Sequence, residues 1–287
     1  MTDEGTERAT DRPATGLLRR PSAPDDQGAV LRITPVDAGW SYVSLAVHRL
    51  GPGIVARRPA DDQEVLVLVL EGSATVRAGD RTFDGVGSRA SVFDGPPAGQ
   101  VLVAPGSAVE VASDGTALVV IAAAPGGERR VTRRIEPEEV FVESRGSGDM
   151  ARRVLHLLDT TADAGRLIAF EVFTPAGNWS SYPPHKHDTE DPPREAYLEE
   201  VYYYRFTRPT GFAFQRVYTP DRALDETVTA GDGELILVPR GYHVVGAAAG
   251  YETYYLNVMA GPNRAWFFTV DPDHAWLMDW DPNRPRG

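Results

Sequence analysis

From Ala29 onward the chain is written in short runs where apolar and polar residues trade places every second position. In SYVSLAVHRL, Val43, Leu45 and Val47 alternate with Tyr42, Ser44, Ala46 and His48, which puts the two sets on opposite faces of a strand. His48 falls on the more polar face, the place of a half-exposed strand histidine. EVLVLVLEGSATVRAG reads differently. Val65 to Leu70 is apolar without a break and closes on Glu71-Gly72, which predicts a buried strand, a tight turn and a second strand. GQVLVAPGSAVEVAS and ALVVIAAAP repeat the scheme of strand, turn and strand. Helical periodicity is scarce, and Gly and Pro punctuate the whole chain. The pattern predicts an all-β protein of many short antiparallel strands.

The pattern also repeats. Gly99, five residues, then Pro105 and Gly106 is echoed by Gly233, five residues, then Pro239 and Gly241. Glu64 opens EVLVLVL as Glu200 opens EVYYY, and the separations from Glu to Pro are 41 and 39 residues. The internal repeat is roughly 135 residues long. Three segments are expected: a disordered or extended tail over 1–28, with residues 1 to about 15 disordered, a first module over 29–145 and a second over 146–287. The closing WLMDWDPNRPRG is expected to cover a barrel or subunit edge.

Composition narrows the class. At 287 residues the chain is long enough for two packed modules. A formal net charge of −12 argues against nucleic acid as a partner. There is no cysteine, so neither a disulfide framework nor a thiolate metal site is available. The N-terminus lacks the apolar core of a signal peptide, and no stretch is long and apolar enough for a membrane helix, so a cytoplasmic protein is expected.

The chemistry gathers in WSSYPPHKHDTEDPPREAYLEEVYYYR, from Trp179 to Arg205. His185 and His187, two apart on an extended segment, can present a ring nitrogen each to one point. Glu200 shares a strand face with Tyr202 and Tyr204, whereas Glu199 points the other way. His243 ends LILVPRGYH. Three imidazoles and a carboxylate suit a borderline divalent cation such as zinc, with manganese as an alternative, one per chain. The first copy has no such histidines, so only the second copy can hold metal. Lys186 is the single lysine of the chain. Beside a cation and partly desolvated, its pKa would fall towards neutrality, and Lys186, Tyr202 and a metal-bound hydroxide are the alternative proton carriers. Tyr204, Arg205, Gln215 and Arg216 are the candidates for substrate contact, the guanidinium groups being suited to a carboxylate.

Two modules of short strands with ligands aimed into an interior resemble a bicupin, two jelly-roll-like barrels, whose N-terminal half is degenerate at the metal site. NWSSYPPHKHD, EEVYYYR, FAFQRVYT, VPRGYH and YYLNVMAGP further resemble the isomerase family that holds 5-deoxy-glucuronate isomerase of inositol catabolism and 5-keto-4-deoxyuronate isomerase. The likeness runs from about Ala29 to Trp280 and is strongest between Phe173 and Pro262. It implies an aldose–ketose isomerisation of a sugar acid, metal positions at His185, His187, Glu200 and His243, and a possible homo-oligomer. A metal-dependent cupin oxygenase and a non-catalytic sugar-acid-binding bicupin are the competing readings, since fold alone does not select among them.

Overall fold

A computed structural model describes residues 16–128 and 131–279. The expected disorder of residues 1 to about 15 lies outside the described residues. Among the described residues, helix is confined to the four-residue Pro35–Ala38 and three 3-10 segments.

The first half forms two antiparallel sheets. One has the strand order Arg133–Ile135, Gly99–Val103, Gln63–Glu71, Ala117–Pro125, Ser44–Leu50 and Ala29–Ile33; the other, Val55–Arg58, Val109–Ala112, Ala74–Ala78 and Arg81–Val86. The second half repeats the scheme. Its larger sheet runs Leu18–Arg19, Leu235–Val238, Glu199–Phe206, Thr253–Ala260, Ile168–Thr174, Arg152–Leu158 and Phe141–Arg145. Its smaller sheet runs Asp225–Gly231, Phe212–Tyr218, Tyr242–Ala247, Trp179–Lys186 and Thr269–Val270.

Two segments sit differently from the expected division. Leu18–Arg19 pairs with Leu235 and Ile236, so the end of the presumed tail belongs to the sheet of the second half, with Leu17 and Leu18 buried. Phe141–Arg145 also joins that sheet, because the Gly146 and Gly148 turn folds it back on Arg152–Leu158 as a hairpin.

The uninterrupted apolar run is explained by burial on both faces. Val65, Val67 and Val69 enter a core inside the first barrel with Val76, Val101 and Val111. Leu66, Leu68 and Leu70 point the opposite way, into a cluster shared with Val201, Tyr203, Leu237, Leu256 and Val258 of the other half. The two large sheets therefore pack face to face, and each barrel keeps its own interior. His48, expected half exposed, is buried at 1% exposure with Nδ1 against the Gln27 carbonyl at 3.0 Å, because the Gln27 loop covers that face.

The same parity corrects the repeat. Glu64 faces the other half, where its carboxylate accepts the backbone N–H groups of Gly165 (2.6 Å), Arg166 and Leu167 (2.7 Å). Its counterpart is Glu199, which accepts those of Ser41, Tyr42 and Val43 at 2.6, 2.7 and 3.0 Å. Each triplet leads into an equivalent strand, Ile168–Thr174 or Ser44–Leu50. The position matching Glu200 is thus Val65, an apolar residue inside the first barrel.

Candidate metal centre

Three histidines meet inside the second barrel. His185 and His243 are cross-strand partners on Trp179–Lys186 and Tyr242–Ala247, and antiparallel neighbours on one face bring their side chains together. His187 follows just past the strand end. Ring centroids lie 4.7 Å apart for His185 and His243, 5.1 Å for His187 and His243, and 6.2 Å for His185 and His187. One ligating nitrogen from each lies within 4.8 Å of the others. Glu200 approaches from the facing sheet, with Oε2 3.1 Å from His187 Nε2 and 3.0 Å from His243 Nε2.

The tautomers follow from the neighbours of the other ring nitrogens. The Nδ1 atoms of His185, His187 and His243 face the carbonyls of Pro183 (3.1 Å), Leu198 (3.0 Å) and Gly241 (3.3 Å). A carbonyl only accepts, so each Nδ1 carries the hydrogen and each Nε2 presents a lone pair inward. Asn257 donates to Glu200 Oε1 at 2.6 Å and fixes the carboxylate. The result is three lone pairs and an anion crowded together, and the buried His243 Nε2, though 3.0 Å from Glu200 Oε2, makes no hydrogen bond. Such a donor set calls for a shared cation, and its nitrogen and oxygen atoms suit a borderline divalent metal.

The electrostatics register the same crowding, with a proton favoured between His187 and Glu200 where a cation would otherwise sit. Burial, then His243 and His187, push the His185 pKa well below the ordinary range, so its ring is neutral and free to coordinate. Burial would also lower His187, but the Glu200 carboxylate overrides it and raises the pKa. Burial favours the neutral form of Glu200, yet His243 and His187 hold its pKa well below the usual carboxylate value.

The remaining candidates divide sharply. Tyr202 is close: its ring centroid is 5.9 Å from that of His243, and its hydroxyl shares a proton with Ser181 Oγ at 2.9 Å. Burial, then Glu200, keeps that phenol protonated far above neutral pH. Tyr204 is buried beyond Tyr202 and donates to Gln215 Oε1 at 2.8 Å. Gln215 is itself buried, with Nε2 lacking any partner.

Lys186 is a correction. Its ammonium is held by Asp188 at 2.7 Å and by Glu195 at 2.8 and 2.9 Å, on the face away from the histidines. Burial opposes the charge, but the two carboxylates win and its pKa is raised rather than lowered. Glu195 also accepts the N–H groups of Asp188 and Thr189, and Asp188 that of Gly241. Lys186 therefore ties the inserted loop to the site. Arg205 and Arg216 also point elsewhere: Arg205 bridges Glu71 (3.0 Å) and Asp232 (2.9 Å), and the part-exposed Arg216 pairs with Asp225 at 2.7 Å.

Sequence reasoning overlooked Asn257, a lone polar residue in the otherwise apolar and hydroxyl-bearing strand Thr253–Ala260. It also overlooked Trp266 and Phe268, whose rings lie 5.8 Å from His187 and 4.9 Å from His185.

Two barrels back to back, with one three-histidine cluster among the described residues that could hold a metal, define a bicupin with that cluster in its second half. The chain belongs to the KduI/IolB family, which it matches over residues 17–277. It is 45% identical over 257 residues to the 5-deoxy-glucuronate isomerase of Geobacillus thermodenitrificans, covering 90% of this chain and 94% of that protein. It is 39% identical over 267 residues to the enzyme of the same name from Bacillus subtilis strain 168, covering 92% and 98%. An IolB-like protein from Salmonella typhimurium superposes with a TM-score of 0.88 at 41% identity, covering 91% of this chain and 99% of that one. The oxalate decarboxylase of Bacillus subtilis, at 14% identity, TM-score 0.61 and coverages of 92% and 81%, shares the fold alone.

Proposed function

We propose that the protein is an intramolecular oxidoreductase that converts 5-deoxy-D-glucuronate to 5-dehydro-2-deoxy-D-gluconate in myo-inositol catabolism. The observation that carries this reading is the match to relatives of that name across nine-tenths of the chain. The site chemistry agrees with it. The aldehyde becomes a primary alcohol and the neighbouring hydroxyl a ketone; a hydrogen moves between adjacent carbons and no outside oxidant is consumed.

A divalent ion held by His185, His187, His243 and Glu200, zinc or manganese by donor type, would polarise the carbonyl and favour the enediolate. The protein's own groups do the rest. The carbonyl partners of the three Nδ1 atoms and Asn257 hold the ligands in place, so little reorganisation accompanies the reaction. Tyr202, neutral and hydrogen-bonded to Ser181, offers a proton at the edge of the cluster, the role of a general acid. Trp266 packs beside His187 and Phe268 beside His185, adding apolar surface next to the cluster.

The test is an NMR time course with 5-deoxy-D-glucuronate and metal-loaded protein under argon. Loss of the aldehyde signal with growth of a ketone and a primary alcohol is expected. An oxygenase would stand idle without dioxygen, and a binding protein would return the sugar acid unchanged. Either result would overturn the proposal.

A further inference from the structure

A six-carbon sugar acid has a second end, and the residues first expected to hold it are engaged elsewhere. Arg205 and Arg216 are neutralised by acidic partners. Another guanidinium faces the second barrel's interior without such a partner. Arg152 opens the strand Arg152–Leu158 and shares a face with Val154, a member of the interior cluster. It reaches the facing sheet, where Nη2 donates to the Tyr182 carbonyl at 3.3 Å, three residues before His185. Nη1 donates to the Met150 carbonyl at 2.9 Å. No carboxylate forms an ion pair with Arg152 among the described residues.

Two of five N–H donors are used on neutral carbonyls, which leaves Nε and one hydrogen on each terminal nitrogen. A part-buried guanidinium with no carboxylate at ion-pair distance is costly; burial depresses its pKa, with the more distant Glu143 opposing and Arg145 adding to that shift. It is a standing site for an anion, and the fork geometry selects a carboxylate. Polar groups connect it to the metal cluster. Ser181, the residue before the Tyr182 whose carbonyl Arg152 holds, shares a hydrogen bond with the Tyr255 hydroxyl at 3.2 Å, and Tyr255 another with Ser180 at 2.7 Å. Ser181 then reaches Tyr202, beside His243. Gln215 stands in register with Ser180 through Val245, and its Nε2 has hydrogens with no acceptor. Hydroxyls, an unpartnered amide and a terminal guanidinium match a polyhydroxy chain ending in a carboxylate.

Resting on the isomerase reading, we infer that Arg152 binds the substrate's carboxylate and so sets which end of the sugar acid meets the histidines. The probes are D-gluconate, a sugar acid with no aldehyde to isomerise, and D-glucitol, its uncharged counterpart, titrated calorimetrically into metal-loaded protein. Wild type is expected to prefer gluconate by about tenfold or more, and Arg152→Gln to lose that preference with metal content unchanged. In turnover of 5-deoxy-D-glucuronate, the KM of Arg152→Gln should rise by roughly 10²-fold, with kcat changing by much less. Arg152→Lys, which keeps charge without the fork, should recover part of both effects, and it decides the matter if the Gln variant does not fold.

An Arg152→Gln or Arg152→Lys protein with wild-type KM and gluconate preference would overturn the inference while leaving the isomerase reading intact. An Arg152-dependent gluconate preference in a wild type that converts no 5-deoxy-D-glucuronate would support the anion subsite and defeat the isomerase reading.

Discussion

At the scale of single residues, the histidines are defined by what lies behind them. Each Nδ1 is committed to a main-chain carbonyl, so the inward nitrogens are ready for coordination before any metal arrives. The double variant His185→Ala, His187→Ala removes two of four donors, and bound metal measured by emission spectroscopy should fall from about one per chain to background. Retention of full metal content would defeat the assignment. Lys186 carries the opposite expectation. With its ammonium in two ion pairs, Lys186→Arg should keep turnover within about threefold and leave the pH profile unchanged, since charge rather than proton exchange is needed. Lys186→Met should lower unfolding free energy by about 2 kcal/mol in urea titration, because Asp188 and Glu195 lose their shared cation. The raised pKa gives the sign: this contribution is present below the unfolded value near 10.5 and is lost as pH rises through the higher folded value.

At the scale of strands, the reciprocal glutamates carry the consequence. Glu64→Gln and Glu199→Gln each replace a two-oxygen anion by one acceptor and an amide that cannot accept, stranding at least one of three N–H groups, of which those of Leu167 and Val43 are buried. A loss of about 2–4 kcal/mol is expected for each, with metal content and kcat nearly unchanged. A fall in metal content in Glu64→Gln would place the cation in the wrong barrel. The strands themselves were legible in the sequence because period two is a direct imprint of the pleat, and Glu200, Tyr202 and Tyr204 do share the interior face with the histidines. The alignment of Glu64 was not. When a strand is buried on both faces, as Val65–Leu70 is, hydrophobicity no longer says which side is inside, and a one-residue shift goes unseen. Lys186 was conspicuous by rarity alone, and composition carries no information about geometry. Arg152 was hidden for the converse reason: it is one Arg among many, and its distinction is the carboxylate it lacks.

At the scale of the whole molecule, the two halves differ in chemistry and agree in architecture. The first barrel fills its interior with Val65, Val67, Val76, Val101 and Val111 where the second places a three-histidine cluster and a polar chain. A buried polar interior is harder to hold, and the second half gains a rigid neighbour through the large apolar cluster between the sheets. Among the described residues no helix is long and apolar enough to cross a membrane.

The exchange of carboxylates between halves has a further meaning for the way the chain unfolds. Each half supplies the acceptor for three main-chain amides of the other, so neither has a complete set of hydrogen bonds by itself. Separation would expose the shared apolar cluster and orphan both triplets at once, which couples the melting of one half to that of the other. Although the chain holds two barrels, scanning calorimetry of the metal-loaded protein should show one endotherm whose calorimetric and van't Hoff enthalpies agree. Two resolved endotherms would mean that the barrels are independent. If there is one, the first half behaves as a thermodynamic partner of the half that carries the histidine cluster.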